Sequence, residues 1–95
     1  MPETVVGELC GIAVIENARG LHARAAAKFV KLAETFAAEI VIVKEDMRVS
    51  ARSIMGLMML AAGRGTRIKI CALGADAAEA VTALTELVKR KFDEE

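Results

Sequence analysis

Thr66-Arg67-Ile68-Lys69-Ile70-Cys71-Ala72 alternates without a break. Successive side chains of a strand leave opposite faces, so Ile68, Ile70 and Ala72 point one way and Arg67, Lys69 and Cys71 the other. A strand with one apolar and one wet face fits an antiparallel sheet with a single buried side; strands of an all-parallel sheet are covered on both. The apolar side needs a cover, and the rest of the chain supplies helices for it. This is the α+β solution.

Upstream of that strand, Gly63-Arg64-Gly65 ends a helix that runs from about Ser53 to Ala62, glycine tolerating the left-handed geometry of a helix C-terminus. Before it, Ile40-Val41-Ile42-Val43 is dense in β-branched residues and reads as a strand. Glu45-Asp46-Met47 forms a turn to Arg48-Val49-Ser50-Ala51, a short partner strand, making a hairpin. Earlier still, from His22 onward, Ala26, Phe29, Val30 and Ala33 recur on one helical face, with Arg24, Lys28 and Lys31 on the other. Leu9 to Ile15, interrupted by Gly11, is a first strand. Downstream, Gly74-Ala75-Asp76 opens a final helix, with Asp76 as N-cap and Glu79 in capping-box register. Val81, Leu84 and Val88 form its buried stripe, Lys89-Arg90-Lys91 suit its C-terminal dipole, and Phe92-Asp93-Glu94-Glu95 is an acidic tail. The order is βαββαβα, with four strands in one antiparallel sheet.

At 95 residues the chain is expected to form a single domain, residues 1–95, with one modest core. Lysine and arginine number 13, as do aspartate and glutamate, so no broad field for nucleic acid or membranes is present. Tryptophan and tyrosine are absent and phenylalanines number 3, leaving few platforms on which bases could stack. No apolar run approaches the roughly 20 residues that span a bilayer. Met1 to Cys10 lacks the basic and apolar parts of a secretory leader, and a cytoplasmic location is expected. Cys10 and Cys71 lie in strand-like segments without a framework-like spacing, and are expected to be free, structural and dispensable thiols. A histidine-based zinc site would need a second histidine or further cysteines; no metal and no cofactor is expected.

The single histidine lies in Asn17-Ala18-Arg19-Gly20-Leu21-His22-Ala23-Arg24-Ala25-Ala26-Ala27-Lys28. By itself His22 could be no more than a helix cap. A glycine loop running into an alanine-rich helix start nevertheless places the imidazole beside free backbone N–H groups and the positive end of the helix dipole. Arg24 adds a planar fork of donors suited to phosphate oxygens. This is a site at which a ring nitrogen could hold a phosphoryl group. No carboxylate cluster is evident near His22, so a general-base enzyme, which needs a pocket and an orienting carboxylate, is disfavoured.

The segments Gly20-Leu21-His22-Ala23-Arg24 and Arg52-Ser53-Ile54-Met55-Gly56-Leu57, in register with the succession of elements, resemble HPr, the histidine-containing phosphocarrier family of the bacterial phosphotransferase system. The resemblance implies an open-faced sandwich with a four-stranded antiparallel sheet in order 1-4-2-3 and three helices on one face. It implies that His22 accepts phosphoryl from enzyme I on Nδ1, as a pros-phosphohistidine, and passes it to an enzyme IIA-type acceptor, assisted by Arg24. It also implies a monomer that carries a phosphoryl group without being an enzyme. The alternative within the family is a regulatory module that acts by binding partners rather than by phosphotransfer. Where the family usually has proline after this arginine, the chain has Ala25.

Ser53 reads by itself as an N-cap. The same resemblance makes it the serine modified by HPr kinase/phosphorylase, where a phosphate would set charge beside Ile54, Met55 and Met58. The helix that follows is apolar almost all round, so Leu57 and Leu60 are assigned to the core. Ile54, Met55 and Met58 are assigned to a docking patch with Ala23, Arg24, Ala27, Lys28 and Lys31, since exposed methionines adapt to several partners. Ala25, the methionine-rich helix and the Phe92–Glu95 ending are similar to the nitrogen-related NPr branch; the sugar-transport branch is the alternative.

Overall fold

The computed structural model describes residues 7–94. Glu95 of the acidic tail, and the first six residues of the segment read for a leader, lie outside them. The elements are β1 (Leu9–Val14), α1 (Ala23–Ala33), β2 (Glu39–Lys44), β3 (Met47–Ser50), α2 (Ile54–Met59), β4 (Arg67–Leu73) and α3 (Ala77–Lys89). The strands form one four-stranded sheet in the order β1-β4-β2-β3, with every neighbouring pair antiparallel. The strand order and the antiparallel direction of pairing are those implied by the resemblance.

The apolar side of β4 is as expected, whereas Cys71, assigned to the wet face with Arg67 and Lys69, is fully buried. Ile68, Ile70 and Ala72 are buried at 1% exposure or less and face the helices with Ala13, Ile40 and Ile42. The helices add Phe29, Val30, Leu57, Leu84 and Val88 to the same cluster. Each large side chain removed from water this way contributes about 1.5–3 kcal/mol. In α3 Leu84 and Val88 are buried as expected, joined by Ala77, Ala80 and Leu87, while Val81 stays half-buried over β1.

Strand ends shift by a residue at several places, and three differences from the sequence reading have a physical reason. The hairpin turn is shorter, because Met47 pairs with Lys44 and joins β3, while Glu45 takes the left-handed conformation at φ 54°. The helix α2 stops at Met59 rather than Ala62: Ala61 turns left-handed at φ 53°, ahead of the glycines. Asp76 does not cap α3 with its side chain. Its carboxylate instead accepts the backbone N–H groups of Ala37 and Ala38, at 2.8 and 2.9 Å, and so ties the α1–β2 connection to the start of α3.

The C-terminal segment is not a free tail. Lys91, Phe92 and Asp93 form a single turn with φ of 59°, 56° and 61°, reversing the chain at the end of α3. Phe92 is wholly buried in the core. Lys28 Nζ donates to its carbonyl at 2.9 Å.

The cysteines overturn the expectation of free thiols: Cys10 and Cys71 form a disulfide. They sit directly opposite each other in the β1–β4 register, their Cα atoms 4.0 Å apart, although 61 residues separate them along the chain. Each segment was correctly read as a strand. The partnership of those strands is what brings the sulfurs together.

Candidate functional site

The loop between β1 and α1 is held from both sides. Ile15 N donates to Thr66 O at 2.9 Å and Gly65 N to Ile15 O at 2.7 Å, fixing its first end to the turn before β4. Leu21 N donates to Ala62 O at 2.9 Å, which uses the backbone freed by the early end of α2. Gly20 bridges these anchors with φ +66°; a Cβ there would meet Ala62 O at 2.7 Å and Gly63 Cα at 2.8 Å. No other residue fits both the angle and the space.

His22 is the N-cap of α1, with extended backbone (φ −77°, ψ 179°) and its carbonyl accepting Ala26 N at 2.8 Å. Its side chain accepts too: Arg24 N–H points at Nδ1, at 3.2 Å. A ring nitrogen that accepts carries no proton, so in the neutral ring the proton is on Nε2. Nε2 is bonded to a carboxylate oxygen of Glu94, brought there by the turn at Lys91–Asp93. The other Glu94 oxygen accepts Asn17 Nδ2 at 3.0 Å, and the same amide nitrogen donates to Gly20 O at 2.8 Å. Asn17 is 1% exposed, so this amide clamps loop and C-terminal turn together from inside.

The contact places a carboxylate on the ring of His22, near which the sequence shows no carboxylate cluster. Burial alone would raise the Glu94 pKa, but the hydrogen bonds from His22 and Asn17, with the charges of His22 and Arg19, lower it below the usual carboxylate value. The carboxylate therefore stays ionised beside the ring, whose side chain is only 16% exposed.

Beside the ring lies a cleft of about 370 Å³ lined by Ala18, Arg19, His22, Arg24, Lys28, Asp93 and Glu94. Its cations are Arg19, Arg24 and Lys28; the Asp93 carboxylate is engaged by Arg90 at 3.0 Å, which lowers its pKa. An unprotonated ring nitrogen at a helix N-terminus, with a cleft carrying three cations beside the ring, is suited to an anionic electrophile such as a phosphoryl group.

The second predicted segment lies on α2. Ser53 is its N-cap, with Oγ accepting Gly56 N at 2.9 Å. Leu57 and Leu60 are buried, whereas Ile54, Met55 and Met58 are exposed at 41%, 72% and 42%. Ala23, Arg24, Ala27, Lys28 and Lys31 are exposed on α1. Met59, 67% exposed, extends the apolar surface and was not singled out in the sequence. Glu94, Arg19 and Asn17 were also missed as site residues. Arg19 and Asn17 stood in the quoted histidine segment, but Glu94 gave no signal, because three consecutive left-handed residues without glycine are not foreseeable from residue type.

The family model for the PTS HPr component phosphorylation site matches residues 11–90. The chain belongs to the HPr family of phosphocarrier proteins. It is 52% identical over 80 residues to the phosphocarrier protein HPr of Neisseria meningitidis serogroup A, covering 84% of this chain and 90% of that one. It is 49% identical over 78 residues to the phosphocarrier protein NPr of Shewanella violacea, covering 82% and 86%. The crystal structure of HPr-C-His from Thermoanaerobacter tengcongensis superposes with a TM-score of 0.87 at 42% identity, covering 92% of this chain and 98% of that one.

Proposed function

We propose that this chain, acting as one unit, carries a phosphoryl group on Nδ1 of His22, received from enzyme I and delivered to an enzyme IIA-type protein. The observation that carries this reading is the hydrogen-bonding state of the ring: Nδ1 accepts from Arg24 N–H while Nε2 is held by Glu94. Nδ1 is thus unprotonated, and its lone pair attacks phosphorus as it gives up the Arg24 N–H. As the N–P bond forms, the bond to the donor breaks and its electron pair leaves with the donor. The imidazole then acquires positive charge, which the Glu94 carboxylate opposes. The phosphoryl oxygens take up Arg24 N–H and the side chains of Arg24, Arg19 and Lys28. Positioning and charge neutralisation carry most of such a transfer, and the reverse steps release the group to the acceptor.

Incubation with enzyme I and labelled phosphoenolpyruvate tests the reading. Stoichiometric, acid-labile label on His22 is the expected result. A protein that binds enzyme I but takes no label is instead the regulatory binding module. The cleft cations favour the carrier.

The exposed residues Ala23, Arg24, Ala27, Lys28 and Lys31 of α1 and Ile54, Met55 and Met58 of α2 form the docking surface in this reading. Both enzyme I and the acceptor use it in turn, and the carrier works as a cytoplasmic monomer. Among the described residues no helix is long and apolar enough to cross a membrane. Ser53 is the regulatory position, modified by an HPr kinase/phosphorylase; its Oγ stands at the start of the methionine-rich helix, where a dianion would disturb docking. Ala25, the methionines of α2 and the C-terminal residues favour the nitrogen-related branch over sugar transport. Pairing the chain with enzyme I and IIA proteins of each branch, and comparing transfer rates, distinguishes them.

A further inference from the structure

The Cys10–Cys71 bond lies on the face of the sheet away from the helices, since Cys71 alternates with Ile70 and Ala72 of the helix-packed core. The two residues differ sharply in access. Cys71 has no exposed surface: it is in the interior strand β4, with Cys10 opposite on one side and Val41 on the other. Cys10 is exposed and belongs to β1, an edge strand whose outer side meets no other strand among the described residues. Glu8 Oε1 lies 4.0 Å from Cys10 Sγ, but its carboxylate is paired with Arg48, so its charge is compensated and does not bar an approaching anion. With the sulfurs joined to each other, these three residues offer no thiolates to a metal.

We propose that this pair is a thiol-exchange site that accepts low-molecular-weight thiols and dithiols, and that Cys10 is the sulfur attacked. An incoming thiolate forms a bond to Cys10 Sγ; the Cys10–Cys71 bond breaks, and Cys71 leaves with the electron pair and takes a proton from water. A monothiol remains on Cys10 as a mixed disulfide. A dithiol goes further: its second thiolate attacks its own bonded sulfur, Cys10 departs as a thiolate, and the reagent ends as a cyclic disulfide. Two electrons have then passed to the protein. The asymmetry of exposure sets the direction, because exchange requires access to the sulfur under attack.

The full-length protein is equilibrated with mixtures of reduced and oxidised glutathione, its fold is followed by circular dichroism, and its thiols are alkylated and located by mass spectrometry. Disulfide and dithiol forms should interconvert with the fold retained. Cys71→Ala should gain one glutathionyl group at Cys10, whereas Cys10→Ala should be modified at Cys71 at least about tenfold more slowly. Three results would each overturn the proposal: a bond that resists excess thiol until the protein unfolds, a reduced protein that never closes the bond in oxidised glutathione, or equal modification of the two cysteines.

Discussion

At the scale of single residues, the ring of His22 is the point on which the reading rests. His22→Ala should fold as the wild type does and take no label from enzyme I, checked by circular dichroism and phosphorylation assay. Label retained at full stoichiometry would place the acceptor elsewhere. Arg24→Ala keeps the backbone N–H at Nδ1 but loses the guanidinium, so transfer in both directions should slow by roughly 10-fold or more. Glu94 gives a pH prediction with a definite sign. Its carboxyl pKa is lowered in the folded protein. Its contribution to stability is therefore fully present above the unfolded carboxylate value and is lost as pH falls through the lowered one. Glu94→Gln should cost about 1 kcal/mol near neutrality, and denaturation of the two proteins should converge at acidic pH. A difference independent of pH would mean that the contact does not hold the charge.

At the scale of elements, the loop before α1 and the helix α2 are coupled through Gly20 and Ala62. Gly20→Ala meets both an unfavourable φ and a backbone oxygen at 2.7 Å, so the loop must shift. A loss of about 2 kcal/mol in denaturant unfolding is expected, together with slower transfer because Nδ1 is displaced. On α2, Ser53→Ala removes the side-chain bond to Gly56 N and should cost about 1 kcal/mol without changing the rate of His22 phosphorylation. Ser53→Asp should slow that reaction by placing charge beside Ile54 and Met55. Equal rates for wild type and both variants would leave Ser53 as a cap alone. The elements themselves were largely legible, because the period of β4 and the helical spacing of Phe29, Val30 and Ala33 are strong local signals. Their ends were less so. Ala61 and Glu45 adopt left-handed conformations usually marked by glycine or asparagine, and the Asp76 carboxylate was drawn to a backbone distant in sequence.

At the scale of the whole molecule, what the sequence hid is what depends on distant pairing. The histidine and arginine of the site stood in one segment, but the disulfide needs the β1–β4 register and the Glu94 contact needs the chain to reverse after α3. Strand order itself came from the family resemblance, since alternation marks a face and not a neighbour. Phe92 joins these levels. Phe92→Ala should destabilise the fold by about 3 kcal/mol and release the turn that carries Glu94; loss of the Nε2–H signal in NMR spectra of the His22 ring would report this. The His22–Glu94 pair also has a consequence for synthesis. The two residues are 72 positions apart, nearly the full described length. A nascent chain that has folded through α3 has the histidine on its helix, yet the ring still lacks the carboxylate partner of Nε2. Since Glu94 follows every strand and all three helices in the chain, this contact can form only after those elements have been synthesised. Ribosome-bound chains arrested before and after residue 94 emerges should thus differ in how well His22 accepts phosphoryl, though not in the fold around it.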